Sequence, residues 1–191
     1  MMTQLTVMVP PDEPAVSLAS AKAYLRIGHS GEDDLVLDLV DAATKRLEQI
    51  AGLALVRQTL QLTWLHWPQA ISGRGARLPV SPIRSLVSVD VHDADGAETD
   101  VSERFQIDCG RLRLRPWSML PGLTSGERVV VRFEAGFGAA EEVPDDLQEA
   151  VLRLVGAIYR ARPGDGSIAT SDIGVPAEVQ AILNARKEVR L

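Results

Sequence analysis

Apolar positions follow different rhythms in different parts of this chain. From 32 to 51 they return every three or four residues. Leu35, Leu39, Ala43, Leu47 and Ile50 form one line, with Val36 and Val40 beside it. That period predicts an amphipathic helix. Glu32, Asp33 and Asp34 stand in its first turn, where the helix dipole favours anions, and Gly52 fits its C-terminal cap. A shorter helix is predicted from Leu18 to about Ile27, with Ser17 as N-cap and Gly28 and Gly31 beyond its end. Residues 1–16 read as an extended lead-in, since Pro10, Pro11 and Pro14 block helix.

From about Arg57 the period shortens to two. Gln58–Trp64 alternates polar and apolar residues, and so does Leu86–Val91. Short strands are also predicted at Arg77–Pro79, Phe105–Ile107, Arg111–Leu114 and Arg128–Phe133, with a hairpin turn at Asp93–Gly96. The helical period returns after Pro144. Leu147, Ala150, Val151, Leu154, Val155 and Ile158 line one face of a helix ending near Arg162. A loose stretch, Arg162–Asp172, precedes a second Val-Pro start at Val175-Pro176 and a last helix-like segment with a basic end.

This order predicts an α+β chain. Its long helices, at about 32–51 and 144–162, pack together as a mostly helical domain, a small antiparallel β region is inserted between them, and a C-terminal arm follows. The expected parts are an N-terminal helical part at 1–56, a β-rich insertion at 57–138, a completing helix at 139–162 and a linker with arm at 163–191. As a flexible coil, 163–175 spans roughly 20 Å. The apolar face of the arm is mainly Val179, Ile182 and Leu183. Burying all three yields on the order of 5–8 kcal/mol, and a helix this short is marginal alone in water. Either the arm folds back on its own domain, or it orders against another chain with Arg186, Lys187 and Arg190 making charge contacts; the small face favours a partner. In the isolated protein it would be displaced, swapped onto a neighbour or poorly ordered.

Composition narrows the function. The chain has 191 residues and a formal charge of -6, which argues against bulk binding to phosphate backbones. One cysteine, Cys109, allows neither an internal disulfide nor a Cys-based zinc cluster. The first residues do not read as a secretory signal, and no segment has the apolar length to span a membrane. The expected setting is the cytoplasm.

Candidate chemistry is sparse. Asp93-Ala94-Asp95-Gly96 has the start of a calcium loop, but Ala97 and Arg104 occupy positions where oxygen ligands are required. A turn is the better reading. Gly136-Phe137-Gly138 lacks the third glycine and the βαβ setting of a phosphate loop. Trp64 and Trp67 flank His66, and aromatics at a strand end are more often core than a base-stacking platform. No catalytic residue, metal ligand or cofactor is expected. Arg111, Arg113 and Arg115 alternate with Leu112 and Leu114, placing three positive charges on one strand face. They form a solvated face or, once subunits assemble, a channel-lining or subunit-contact surface.

Several segments together resemble the head–tail connector (adaptor) proteins of long-tailed bacteriophages, prophages and gene transfer agents. They are Val16–Ile27 with the acidic step at Glu32–Asp34, Thr44–Gly52, Leu78–Leu86, Phe133–Gly138 and Gly174–Leu191. Ala185-Arg186-Lys187 departs from the Pro-Tyr-Arg frequent in that family. The resemblance implies a non-enzymatic virion protein that forms a ring, typically of twelve subunits. Such a ring joins portal to tail and extends the DNA channel, with DNA only as passing cargo. The implied partners are portal protein, a tail-side connector or stopper protein, and other copies of the chain. The C-terminal segment would engage the portal, making Val179, Ile182, Leu183, Arg186, Lys187 and Arg190 the candidate contacts. The alternatives are a tail-completion or stopper protein of the same connector, or a cytoplasmic small-molecule enzyme or ligand-binding protein.

Overall fold

The computed structural model describes residues 3–161 and 174–188. The chain divides into two compact units. One contains 1–11 and 57–136, the other 12–56 and 137–191.

The β-rich unit holds two antiparallel sheets. The strands are β1 (Thr3–Val9), β2 (Gln58–Trp64), β3 (Ala76–Arg77), β4 (Ile83–His92), β5 (Glu98–Asp100), β6 (Phe105–Asp108), β7 (Arg111–Leu114) and β8 (Arg128–Ala135). The larger sheet runs β1-β2-β8-β4-β5 and the smaller runs β3-β7-β6. In β2 every second residue is buried, as its alternation requires. The central strand β8 buries Val129, Val130 and Val131 in succession, because both of its faces are covered. Leu60 faces Phe133, and Leu62 faces Val131, across the β2–β8 ladder. From the smaller sheet and its flanks, Ile71, Leu78, Phe105 and Leu112 join the core.

The helical unit contains α1 (Leu18–Leu25), α2 (Asp33–Ala51), α3 (Asp145–Ala161) and α4 (Ala177–Glu188). Ser17 caps α1, accepting a hydrogen bond from the Ser20 N–H, and Gly52 ends α2 in the left-handed conformation. The two long helices pack on each other. The buried stripe of α2 runs through Val36, Leu39, Val40, Ala43 and Leu47. It lies slightly to one side of the expected line, leaving Ile50 at the surface. On α3 the expected face is the buried face, from Leu147 to Ile158. Lys22 on α1 pairs with Asp33 at the start of α2 at 2.5 Å. Tyr159 on α3 donates its hydroxyl hydrogen to Glu32 at 2.9 Å.

A mostly helical domain with a small inserted β region is not what forms. The chain is 37% helical and 28% strand, with four helices and two sheets among the described residues. Two strands account for much of the difference. The lead-in at Thr3–Val9 becomes β1, seven residues paired with β2. Its three prolines all follow the strand, so they stop it without preventing it. Glu98–Asp100 becomes β5 despite its acids, because the turn before it returns the chain alongside β4.

Candidate interaction surfaces

The C-terminal candidates sit on α4. Val179 and Leu183 are buried within the core of the helical unit, and Ile182 packs against it half-buried. Arg186 makes a forked contact with Asp146 in the first turn of α3, Nε to Oδ2 at 2.7 Å and Nη2 to Oδ1 at 2.5 Å. Its guanidinium carbon stands 5.9 Å from the centre of the Phe137 ring. Lys187 belongs to the last turn of α4. Arg190 and the segment 162–173 lie outside the described residues.

Helix α4 therefore folds back on its own unit, whereas the expectation had the arm displaced, swapped or poorly ordered. The apolar face is as small as it looked, but α3 offers it a preformed surface. Asp146 adds a charge-assisted fork that no count of apolar residues includes.

The hydrogen bonds from Arg186 hold the Asp146 carboxyl below its ordinary 3.8, more than offsetting partial burial. A depressed carboxylate stabilises the folded state above its unfolded pKa and loses that contribution as pH falls through the folded one. Docking of α4 should therefore be constant at neutral pH and weaken below about pH 4. Hydrogen exchange at the amides of Val179–Leu183 across that range measures it. Protection factors, corrected for the intrinsic pH dependence of exchange, that stay flat down to pH 3 would contradict the role given to Asp146.

The arginine candidates fall on the β6–β7 hairpin, whose turn residues Cys109 and Gly110 both have positive φ. Each arginine makes contacts inside its own chain. Arg111 donates to the Gly75 carbonyl at 3.2 Å, and Arg113 to the Arg74 carbonyl at 3.3 Å and to Asp108 at 2.5 Å. Arg115 donates to the Phe105 carbonyl at 2.9 Å. Gly75 has a φ of +85°, and a Cβ there would stand 2.5 Å from Cγ of Arg113. The close approach of segment 74–75 to β7 thus depends on glycine.

Two apolar surfaces escaped the sequence reading. Strand β1 forms one edge of the larger sheet, and all its residues from Gln4 to Val9 are exposed. Leu5 faces Leu62 and Val7 faces Leu60 across the ladder, so they extend the buried apolar face past its cover. The second surface is the loop after β7, where Trp117 is 103% exposed and Met119 81%. Trp117 has a φ of +66°, a left-handed conformation disfavoured for a residue of its size. Three hydrogen bonds pin the loop around it. The Ser118 N–H donates to the Arg115 carbonyl at 3.1 Å, Arg104 to the Met119 carbonyl at 3.2 Å, and the Trp67 indole N–H to the Pro121 carbonyl at 2.8 Å. A tryptophan and a methionine bracketed by Pro116 and Pro121, with no helical or strand period to bury them, was the available signal.

The other chemical candidates have structural roles. Asp93 Oδ1 accepts the N–H groups of Asp95 and Ala97, closing its own turn. Trp64 is buried in the sheet, and Trp67 stacks on Phe105 with ring centres 5.1 Å apart. The Glu142 carboxylate packs directly against Gly138, the wrong charge for a phosphate cradle. A hydrogen bond to Asp108 raises the Cys109 thiol above its ordinary value, which lowers its thiolate fraction. Among the described residues no three His, Cys, Asp or Glu side chains are grouped to hold a metal ion. No described helix is long and apolar enough to cross a membrane.

No protein-family model and no curated protein matches this chain. Solved structures do. The chain is similar to one in the virion of a native gene transfer agent particle, with 26% identity over 95% of this chain and 93% of that one and a TM-score of 0.77. A chain from the neck of the empty particle, computed with C6 symmetry, is 28% identical over 94% of each chain with a TM-score of 0.73. A third, from the neck of the native particle computed with C12 symmetry, is 27% identical over 95% and 94% with a TM-score of 0.67. The likeness thus spans both compact units and joins this chain to structural components of gene-transfer-agent particles, the neck included.

Proposed function

We propose that this chain is a structural neck protein of a phage-like particle. More finely, it is the ring adaptor that joins portal to tail and extends the DNA channel. The observation that carries the reading is likeness over nearly the whole chain to components of a gene transfer agent particle and its neck. Two of those necks were computed with C6 and C12 symmetry, which supports a ring of copies, twelve in the larger case. A structural role also accords with the internal use of the residues that sequence had offered for chemistry. Its partners are portal protein, a tail-side connector or stopper, and further copies of itself, with DNA passing through.

Within this reading the C-terminal segment engages the portal through Val179, Ile182, Leu183, Arg186, Lys187 and Arg190. Since Val179 and Leu183 are buried against the chain's own core, α4 must leave α3 before those two can serve as anchors. The arginine hairpin is the candidate channel lining or subunit contact. Arg111, Arg113 and Arg115 each keep donors beyond those used inside the chain.

Cryo-electron microscopy of particles from cells making this protein tests the reading. The expected result is a ring of this chain directly on the tail side of the portal. A ring one layer further out would instead make it a stopper, and particles without the chain would overturn the neck assignment.

A further inference from the structure

We infer that neighbouring copies join through two different apolar surfaces of the β-rich unit, with Trp117 and Met119 of one copy seated on the uncovered β1 face of the next. The inference rests on the ring reading above and adds the residues that close the ring.

A ring with cyclic symmetry needs a head-to-tail interface, in which each subunit presents two unlike surfaces that fit each other. The β-rich unit presents two such surfaces. One is a strip on β1, where Leu5 and Val7 are 41% and 51% exposed. Leu5 and Val7 continue the face that carries Leu60 and Leu62, so the strip is core surface that the described residues do not cover. The other is a projection, the Trp117–Met119 loop. Aromatic and methionine side chains are the usual anchors of such contacts. The three hydrogen bonds that pin this loop hold Trp117 outward before any partner arrives. Preorganisation of this kind lowers the entropy lost on association.

The edges of the larger sheet favour this pairing over others. Strand β1, Thr-Gln-Leu-Thr-Val-Met-Val, has no charge and no proline, so from Thr3 to Val7, before the register shift at Val7/Val9, it lacks two of the usual protections of a free edge. The opposite edge, β5, has only three residues, and two of them are the acids Glu98 and Asp100. A short charged edge does not continue a sheet into the next copy. Pairing β1 with β1 would give a twofold dimer and stop there. Among the described residues Leu65 and Val87 are also exposed on this unit, but Trp117 and Met119 are its most exposed large apolar side chains, and their loop, unlike β1, can repeat around a ring.

Disulfide trapping in assembled particles tests this. The exposed Cys109 is first replaced by serine, and Val7→Cys and Trp117→Cys are then introduced singly and together. On oxidation the double variant should give a ladder of covalent multimers, while each single variant should stay monomeric. Trp117→Ala, at a fully exposed side chain, should leave the isolated chain folded and cut its incorporation into necks at least tenfold. Rings visible by microscopy that show no ladder, and that take up Trp117→Ala as readily as wild type, would overturn this interface and leave the neck assignment standing. Crosslinking of Trp117→Cys to itself, or to a different neck protein, would also overturn it. A wild-type neck without this chain would remove the proposed function and this interface together.

Discussion

A chain ending at Ala161 should fail to bind portal rings that the full chain binds, and Asp146→Asn should bind them more tightly. The two outcomes follow from one competition. Helix α4 packs on its own α3, through Val179, Leu183 and the Arg186–Asp146 fork. If the same side chains engage the portal, the docked state withholds them. Apparent affinity is then reduced by the fraction of molecules whose arm is free. The fork has side chains 32% and 44% exposed, so solvent screening limits it to about 1 kcal/mol. Removing the charge of Asp146 should therefore raise portal affinity about fivefold, since 1.4 kcal/mol is a factor of ten. Sedimentation or surface binding against purified portal rings reads both. General loss of stability would weaken both variants, so the opposite signs are the diagnostic result. A truncated chain that binds as well as the full one would sink the arm assignment.

Arg132→Leu should destabilise the β-rich unit by about 2–3 kcal/mol. Arg132 lies on the central strand and reaches both neighbours. It donates to Asp90 at 2.8 Å and Ser88 at 3.4 Å on β4, and to Gln61 at 3.3 Å on β2. The Asp90 side chain is only 9% exposed. Leucine at 132 would leave that carboxylate buried with only the Ser88 hydroxyl, 2.7 Å away. The cost arises from the stranded charge, so removing the charge as well should recover most of it. The double variant Asp90→Val with Arg132→Leu is expected within about 1 kcal/mol of wild type, because a buried ion pair and an apolar pair are often near equal. Urea unfolding of the three proteins decides the matter. A double variant as unstable as the single one would show that shape, not charge, is what Arg132 supplies.

Much of the local structure was legible in the chain, because its causes are local. The caps at Ser17 and Gly52, the buried face of α3 and the alternation of β2 need only nearest neighbours and a period. What was missed depends on residues far apart. Thr3–Val9 alternates only briefly, at Gln4 to Val7, and it becomes a strand by pairing with β2. Docking of α4 relies on a pair 40 positions apart, Asp146 and Arg186. The three arginines alternate in the sequence, with Arg115 just past the end of β7, but the carbonyls that hold them come from residues 74, 75 and 105. Trp117 escaped notice because a loop between prolines has no period against which an apolar residue looks out of place.

The left-handed backbone at Trp117 has a practical consequence. A screen for better-behaved isolated protein would favour glycine there, since glycine relieves the strain and removes an exposed aromatic ring. On the interface inferred above, such a screen would be selecting against assembly. Variants improved for solubility should therefore be checked for incorporation before their fold is taken as representative of the chain at work.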